Sequence, residues 1–307
     1  MPIATPPAEP SIGLDLLDHR FLLFTGKGGV GKSTLTAALA IEAAARGMRP
    51  LVVELGHRAT MRSVFGVDAV GFSPRAVGHG VHAMSVEMDQ AVVEYMAQHV
   101  PSKRLARAIV SNQVLERLFR AMPAVGEIAT VNALHRLEAE QDAGLPRWAP
   151  ILVDLDATGH ALMFLELRQV VAHLMGAGPM RRLVDEMAAT FADPRRTRLN
   201  LVTLPDELPV TETLELQARL AGDLDRRLDA VVANQVLPRR FTRADVDRVA
   251  AAGDPAATRA ARSHAGIVSS QQAQLRRLRA GSPTHITQLP LLVTRSEERR
   301  VGKECLR

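Results

Sequence analysis

At 307 residues, 47% hydrophobic but only 3% aromatic, the chain is long enough to bury a full core in one α/β unit, built from Leu, Val, Ala and Met. The formal charge of +5 is carried largely by arginines interleaved with Asp and Glu, and one Tyr and one Trp leave little to stack on bases, so nucleic acid is not an expected partner. The single cysteine, Cys305, excludes an intrachain disulfide, a thiolate cluster and a C-x-x-C zinc pair, so no zinc is expected.

Residues 1–18 form a Pro- and Ala-rich arm without the basic and apolar regions of a signal peptide, and no apolar run reaches the length of a membrane span. A cytoplasmic protein with no integral membrane segment is expected, its single domain covering residues 19–294. Arg20–Thr25 (RFLLFT) is a short apolar run, Gly26–Thr34 (GKGGVGKST) a Gly-rich loop, and Leu35–Arg46 an Ala-rich helical stretch that Gly47 stops. Arg49–Glu54 (RPLVVE) lies where the next parallel strand belongs and completes a βαβ unit.

The loop satisfies G-x-x-x-x-G-K-[ST] through Gly26, Gly31, Lys32 and Ser33. Gly26, Gly28, Gly29 and Gly31, with Val30 among them, let successive backbone N–H groups turn inward at a helix mouth, where they bind phosphate. In that arrangement Lys32 reaches the β and γ phosphates of ATP, Ser33 ligates Mg²⁺, and Thr34 touches the α-phosphate or caps the helix. The fold class expected is a P-loop NTPase: α/β, a doubly wound, mostly parallel sheet flanked by helices, with a helical insertion.

Lys27 is a second lysine, directly after the first glycine, and holding phosphates within one chain does not require it. This deviant Walker A loop resembles that of the dimeric ATPases that include ArsA, MinD, ParA and the nitrogenase iron protein. The resemblance implies a homodimer, or a heterodimer with a paralogue, in which Lys27 reaches the partner's nucleotide across the interface, much as an arginine finger does. Taken alone, Lys27 reads as an ordinary exposed lysine. Glu54 ends the second strand and is followed by Leu55, Gly56 and His57. Where the resembled family carries D-P-A-H in its first switch, Glu54 stands at the water-positioning Asp and His57 at the His. The extra methylene of Glu54 then predicts slow turnover; without the resemblance it is a polar strand end.

From about residue 84 to 145 the helical pattern of Val92–Met96, Leu105–Val110, Val114–Met122 and Ile128–Glu140, broken at Pro101 and Pro123, marks the insertion. Ala149–Asp154 (APILVD) returns to the sheet and opens the run DLDATGH. A carboxylate at a strand end beside a P-loop can hold the hydration shell of Mg²⁺, and the glycine after it lets the loop respond to a γ-phosphate. The run resembles the second switch, D-T-A-P-T-G-H, of the anion-pump and tail-anchored-protein targeting ATPases. Asp154, Thr158, Gly159 and His160 match it, whereas Leu155, Asp156 and Ala157 do not. The resemblance makes His160 switch machinery; by itself it is a helix-start histidine.

In the helical region of about 160–192, Met163, Leu167, Val170 and Leu174 form an apolar stripe widened by Phe164, Val171 and Met175. Met163, Met175, Met180 and Met187 suit an adaptable binding surface, and equally a packed core or a dimer contact. Leu199–Leu204 is a strand and Val210–Leu220 a helix, and Leu204–Leu214 (LPDELPVTETL) resembles the family's turn between them. Leu228–Ala233 is a strand ending at Asn234 and Gln235; the Asn234 amide is placed to read an adenine edge, or is a strand-end turn residue. A polar helical region, Arg243–Ala280, precedes the apolar run Ile286–Val293. The tail Arg295–Arg307, with five basic and three acidic residues, departs from the preceding composition and reads as a frayed terminus or a non-native addition.

The resemblance implies a bacterial Mg-ATP-hydrolysing switch ATPase that couples its nucleotide state to a hydrophobic client or membrane-protein partner, in the cytoplasm or peripheral to the inner membrane. The alternative is a positioning ATPase like ParA or MinD, acting on DNA or membrane, which a basic patch or a C-terminal amphipathic helix would favour. Without thiolates outside the tail, neither arsenite pumping through a cysteine site nor a zinc-clasped dimer is expected.

Overall fold

The apolar run after Arg20 is buried along its whole length as β1 (Phe21–Thr25), which five consecutive residues achieve only in a sheet covered on both faces. The computed structural model describes residues 16–56, 59–97, 102, 104, 124–155, 166 and 178–292. Around β1 it builds an eight-stranded sheet of β2 (Leu51–Leu55), β3 (Arg75–Gly78), β4 (Val81–Val86), β7 (Ile151–Asp154), β8 (Thr197–Thr203), β9 (Ala230–Val236) and β10 (Ile286–Pro290), in the order β10-β9-β8-β1-β7-β2-β4-β3. Every pairing is parallel except that of the edge strand β3 with β4. The mostly parallel sheet flanked by helices is that of a P-loop NTPase.

Side-chain alternation along β1 divides the core. Phe21 and Leu23 enter one buried cluster with Leu51, Val53, Ile151 and Val153, while Leu22 and Phe24 enter another with Val52, Leu152, Ala37 and Ala40. The second cluster is roofed by α1 (Lys32–Ala45), whose small Ala side chains bring the helix close to the strands. The first is covered by α4 (Ala124–Ala139), which packs on α3 (Met88–Ala97), by α5 (Pro179–Ala192) and by α6 (Glu207–Asp223). Met187 lies in this core, 1% exposed, and is therefore not part of an adaptable surface.

Several elements differ from the sequence expectation. The β3–β4 hairpin turns through His79 and Gly80, both at positive φ (52° and 75°), a tight-turn geometry that an ungapped His-Gly pair signals only faintly. A second, short hairpin of β5 (Gln141–Asp142) and β6 (Leu145–Pro146) turns through Ala143 and Gly144. A six-residue helix, α2 (Thr60–Phe65), follows β2. The polar region after β9 is two helices, α7 (Arg243–Ala251) and α8 (Pro255–Gly281). Gly253 at φ 78° stops the first, and Asp254, accepting from the Ala256 and Ala257 N–H groups, starts the second. No helix of the described residues is long and apolar enough to cross a membrane.

Candidate functional site

The carboxyl ends of β1, β2 and β7 converge, and the register aligns side chains there. Phe24 is the Cα partner of Asp154, and Asp154 that of Glu54, so the two acids stand side by side at the sheet end where α/β folds bind ligands. Gly26–Gly31 leaves β1 at the same end. Gly26 has φ 140° and lies so close to β8 that a Cβ there would meet the Val202 carbonyl oxygen at 2.1 Å. At Gly31, φ 94°, a Cβ would meet Asn234 Nδ2 at 2.3 Å. Either substitution would force the loop off its supports, whereas Gly29, φ 84°, borders open space.

Lys32 begins α1, and its side chain folds back under the loop. Although Lys32 is only 5% exposed, its ammonium donates to the Gly26 carbonyl at 2.8 Å and the Lys27 carbonyl at 3.0 Å, which keeps a buried charge hydrogen-bonded. The next residue, Ser33, donates its hydroxyl to Asp154 Oδ2. Glu54 is buried and accepts from the backbone N–H groups of Thr60 (2.6 Å) and Met61 (3.3 Å), so it holds the first turn of α2. Lys32, Ser33, Glu54, Leu55, Thr60, Asp154 and Leu155 line one cleft.

A family model for anion-transporting ATPases matches residues 19–189, from just before β1 into α5. The chain belongs to the anion-transporting ATPase family. Within the family it is 29% identical over 237 residues to ATPase BagA of Mycobacterium tuberculosis, covering 75% of this chain and 69% of that protein. It is also 31% identical over 249 residues to the arsenical pump-driving ATPase of Acidiphilium multivorum, and 29% identical over 249 residues to one from Escherichia coli, covering 76% of this chain and 42% of each relative.

In this chain Lys32, Ser33, Glu54 and Asp154 meet in one cleft. Thr34 does not cap α1: Gly31 is the N-cap, without a side-chain cap, and Thr34 is an exposed residue of the first turn. Asn234 lies inside β9, not at its end, and both halves of its amide are engaged. Nδ2 donates to the Val30 carbonyl at 2.8 Å and Oδ1 accepts from the Gln235 N–H at 2.9 Å, so the residue braces the P-loop. Lys27 is partly exposed and pairs within its own chain with Glu212 of α6 at 2.9 Å. His57, Thr158, Gly159 and His160, with the stripe Met163, Leu167, Val170 and Leu174, lie outside the described residues.

The sequence reading missed Glu212 and Thr60 as neighbours of the site. Glu212 lies in the quoted LPDELPVTETL run, but that α6 brings it against the P-loop is a fact of packing. The Ser33 hydroxyl and the Asp154 carboxylate form a hard oxygen donor pair, and the glycine cradle leaves its outer side open, so the residues fit Mg²⁺ carried on a nucleotide phosphate. Among the described residues no group of three or more His, Cys, Asp or Glu could hold a metal ion unaided.

Proposed function

We propose that this chain binds and slowly hydrolyses Mg-ATP as a dimeric switch ATPase, coupling its nucleotide state to a hydrophobic client or membrane-protein partner. The observation that carries the reading is the convergence of the buried Lys32 ammonium, the Ser33–Asp154 pair and the Glu54 carboxylate on one cleft at the mouth of a glycine cradle. Family membership and the ATPase names of the relatives support it.

In this reading the P-loop N–H groups and Lys32 take the phosphates, while Ser33 and, through water, Asp154 hold the metal. Bound Mg²⁺ supplies charge neutralisation at the β and γ phosphates. Glu54 orients the attacking water. Because it also holds the N–H groups of Thr60 and Met61, any motion of the first switch that moves α2 changes where its carboxylate points. Asn234 acts first as a brace on Val30, and contact with adenine would come on top of that.

The Lys27–Glu212 pair is compatible with a role across a dimer. At 37% and 35% side-chain exposure it is worth no more than about 1 kcal/mol, so exchange of Glu212 for a partner's phosphate costs little. Arsenite transport, which the names of some relatives imply for those proteins, is not proposed, because the only cysteine is Cys305.

The test is Mg-dependent phosphate release by Lys32→Ala. Turnover is expected to vanish while the circular dichroism spectrum is kept. Unchanged hydrolysis in the folded variant overturns the site assignment.

A further inference from the structure

Nine arginines, three aspartates and no lysine or glutamate lie between Arg239 and Arg279, a net +6 in a chain whose whole formal charge is +5. All nine arginines are exposed. This concentration differs from the sequence expectation of charges mixed along the chain, on which nucleic acid is set aside as a partner; the family match, not the charge, keeps the proposed function apart from the positioning ATPases. It is densest on α8, whose 27 residues contain five arginines and no carboxylate.

The helix is amphipathic in an unusual sense. Ala261, Val268, Gln271, Leu275 and Leu278 are its buried stripe. At 3.6 residues per turn, Arg259, Arg262, Arg276 and Arg277 fall within about 100° of arc on the opposite side, along about 27 Å of helix. Between them the same face carries Gly266, Ser269 and Ala273, all exposed and none bulky or acidic. The only carboxylate at its start, Asp254, is engaged by the Ala256 and Ala257 N–H groups. The neighbouring α7, which packs on α8, adds exposed Arg243 and Arg248, the latter paired with Asp245.

We propose that the outer face of α8, with the adjoining arginines of α7, is a docking surface for the phosphate backbone of a nucleic-acid duplex, read without regard to sequence. A long ridge of guanidinium groups, separated by small side chains that let phosphates approach, suits a duplex carrying one charge per about 1.7 Å of axis. A lipid surface fits less well. An interfacial helix needs a free apolar face, and Val268, Leu275 and Leu278 of α8 are buried, while Ile267, 48% exposed, lies alone to one side of the arginine arc. A single strand fits less well too, since Phe241, the one aromatic ring in this stretch, is stacked edge-on against His264.

This surface is distinct from the nucleotide cleft, and its test needs no ATP, so the two readings fail separately. Anisotropy of a labelled DNA duplex, titrated with the full chain over a range of salt, gives affinity and salt slope. Arg262→Glu/Arg276→Glu/Arg277→Glu is expected to weaken binding at least roughly tenfold and to flatten the slope of log K against log salt by about three. The exposed control Arg182→Glu/Arg195→Glu is expected to leave both near wild type. The graded variant with glutamine at the same three positions is expected to give an intermediate loss, which guards against misfolding of the reversed form. Absence of duplex binding at low salt, an equal loss in the control, or binding to phosphatidylglycerol vesicles but not to duplex would overturn the proposal.

Discussion

Lys27 shows how much one side chain's meaning depends on its neighbours. Its position directly after Gly26 is visible in the sequence, but the partner it has within one chain, Glu212, comes from an element 185 residues away. If Lys27 serves a nucleotide on a second copy, Lys27→Ala slows hydrolysis more than it weakens nucleotide affinity, because the contact exists only in the closed dimer. Comparing kcat with the calorimetric Kd checks this, and equal losses in both would assign the lysine to its own chain's phosphates. Asn234 carries the same lesson in reverse. The strand pattern offers its amide as an adenine reader or a turn residue, but its hydrogen bond to Val30 and its closeness to Gly31 depend on β9 passing beside the loop.

At the scale of elements, α4 carries a buried carboxylate in its first turn. Glu127 is 6% exposed, its Oε2 meets no donor among the described residues, and burial pushes its pKa up, with its own backbone N–H only partly offsetting this. A carboxyl whose folded pKa is raised keeps its proton in the folded state after the unfolded chain has ionised. Stability therefore falls as pH climbs from the ordinary carboxylate value of 4.5 and levels off once the folded pKa is passed. Glu127→Gln, which stays neutral, is expected to melt above wild type by a margin that widens as pH rises above 4.5 and then becomes constant. A margin that does not change with pH would show that the group's ionisation is not what burial penalises. The periodicity that located this helix could not have marked Glu127, because an acid in a helix's first turn is usually solvated and favourable there.

For the whole molecule, the decisive question is whether ATP joins two copies. Glu54→Gln keeps a side-chain acceptor for α2 while removing the carboxylate proposed to orient water. With Mg-ATP this variant is expected to accumulate as a dimer in sedimentation velocity and to return to monomer with ADP. A monomer under every nucleotide condition would remove the dimer from the proposed function and leave the phosphate site standing. The same dimer sample is the material in which a client would be captured.

The strand–loop–helix at residues 21–45, the acids near the carboxyl ends of β2 and β7, and the glycine-rich turn of Gly26–Gly31 were all legible in the sequence, because each depends on residues within one or two turns of each other. What only the tertiary structure decided is which distant groups meet. It placed Glu54 beside Asp154 through strand register, Asn234 beneath the P-loop, Glu212 on Lys27, and the side of α8 opposite Arg259, Arg262, Arg276 and Arg277 in the core. Local periodicity reports which side of an element is buried, whereas strand order determines what lies across from it, and that order is set by the packing of the whole chain.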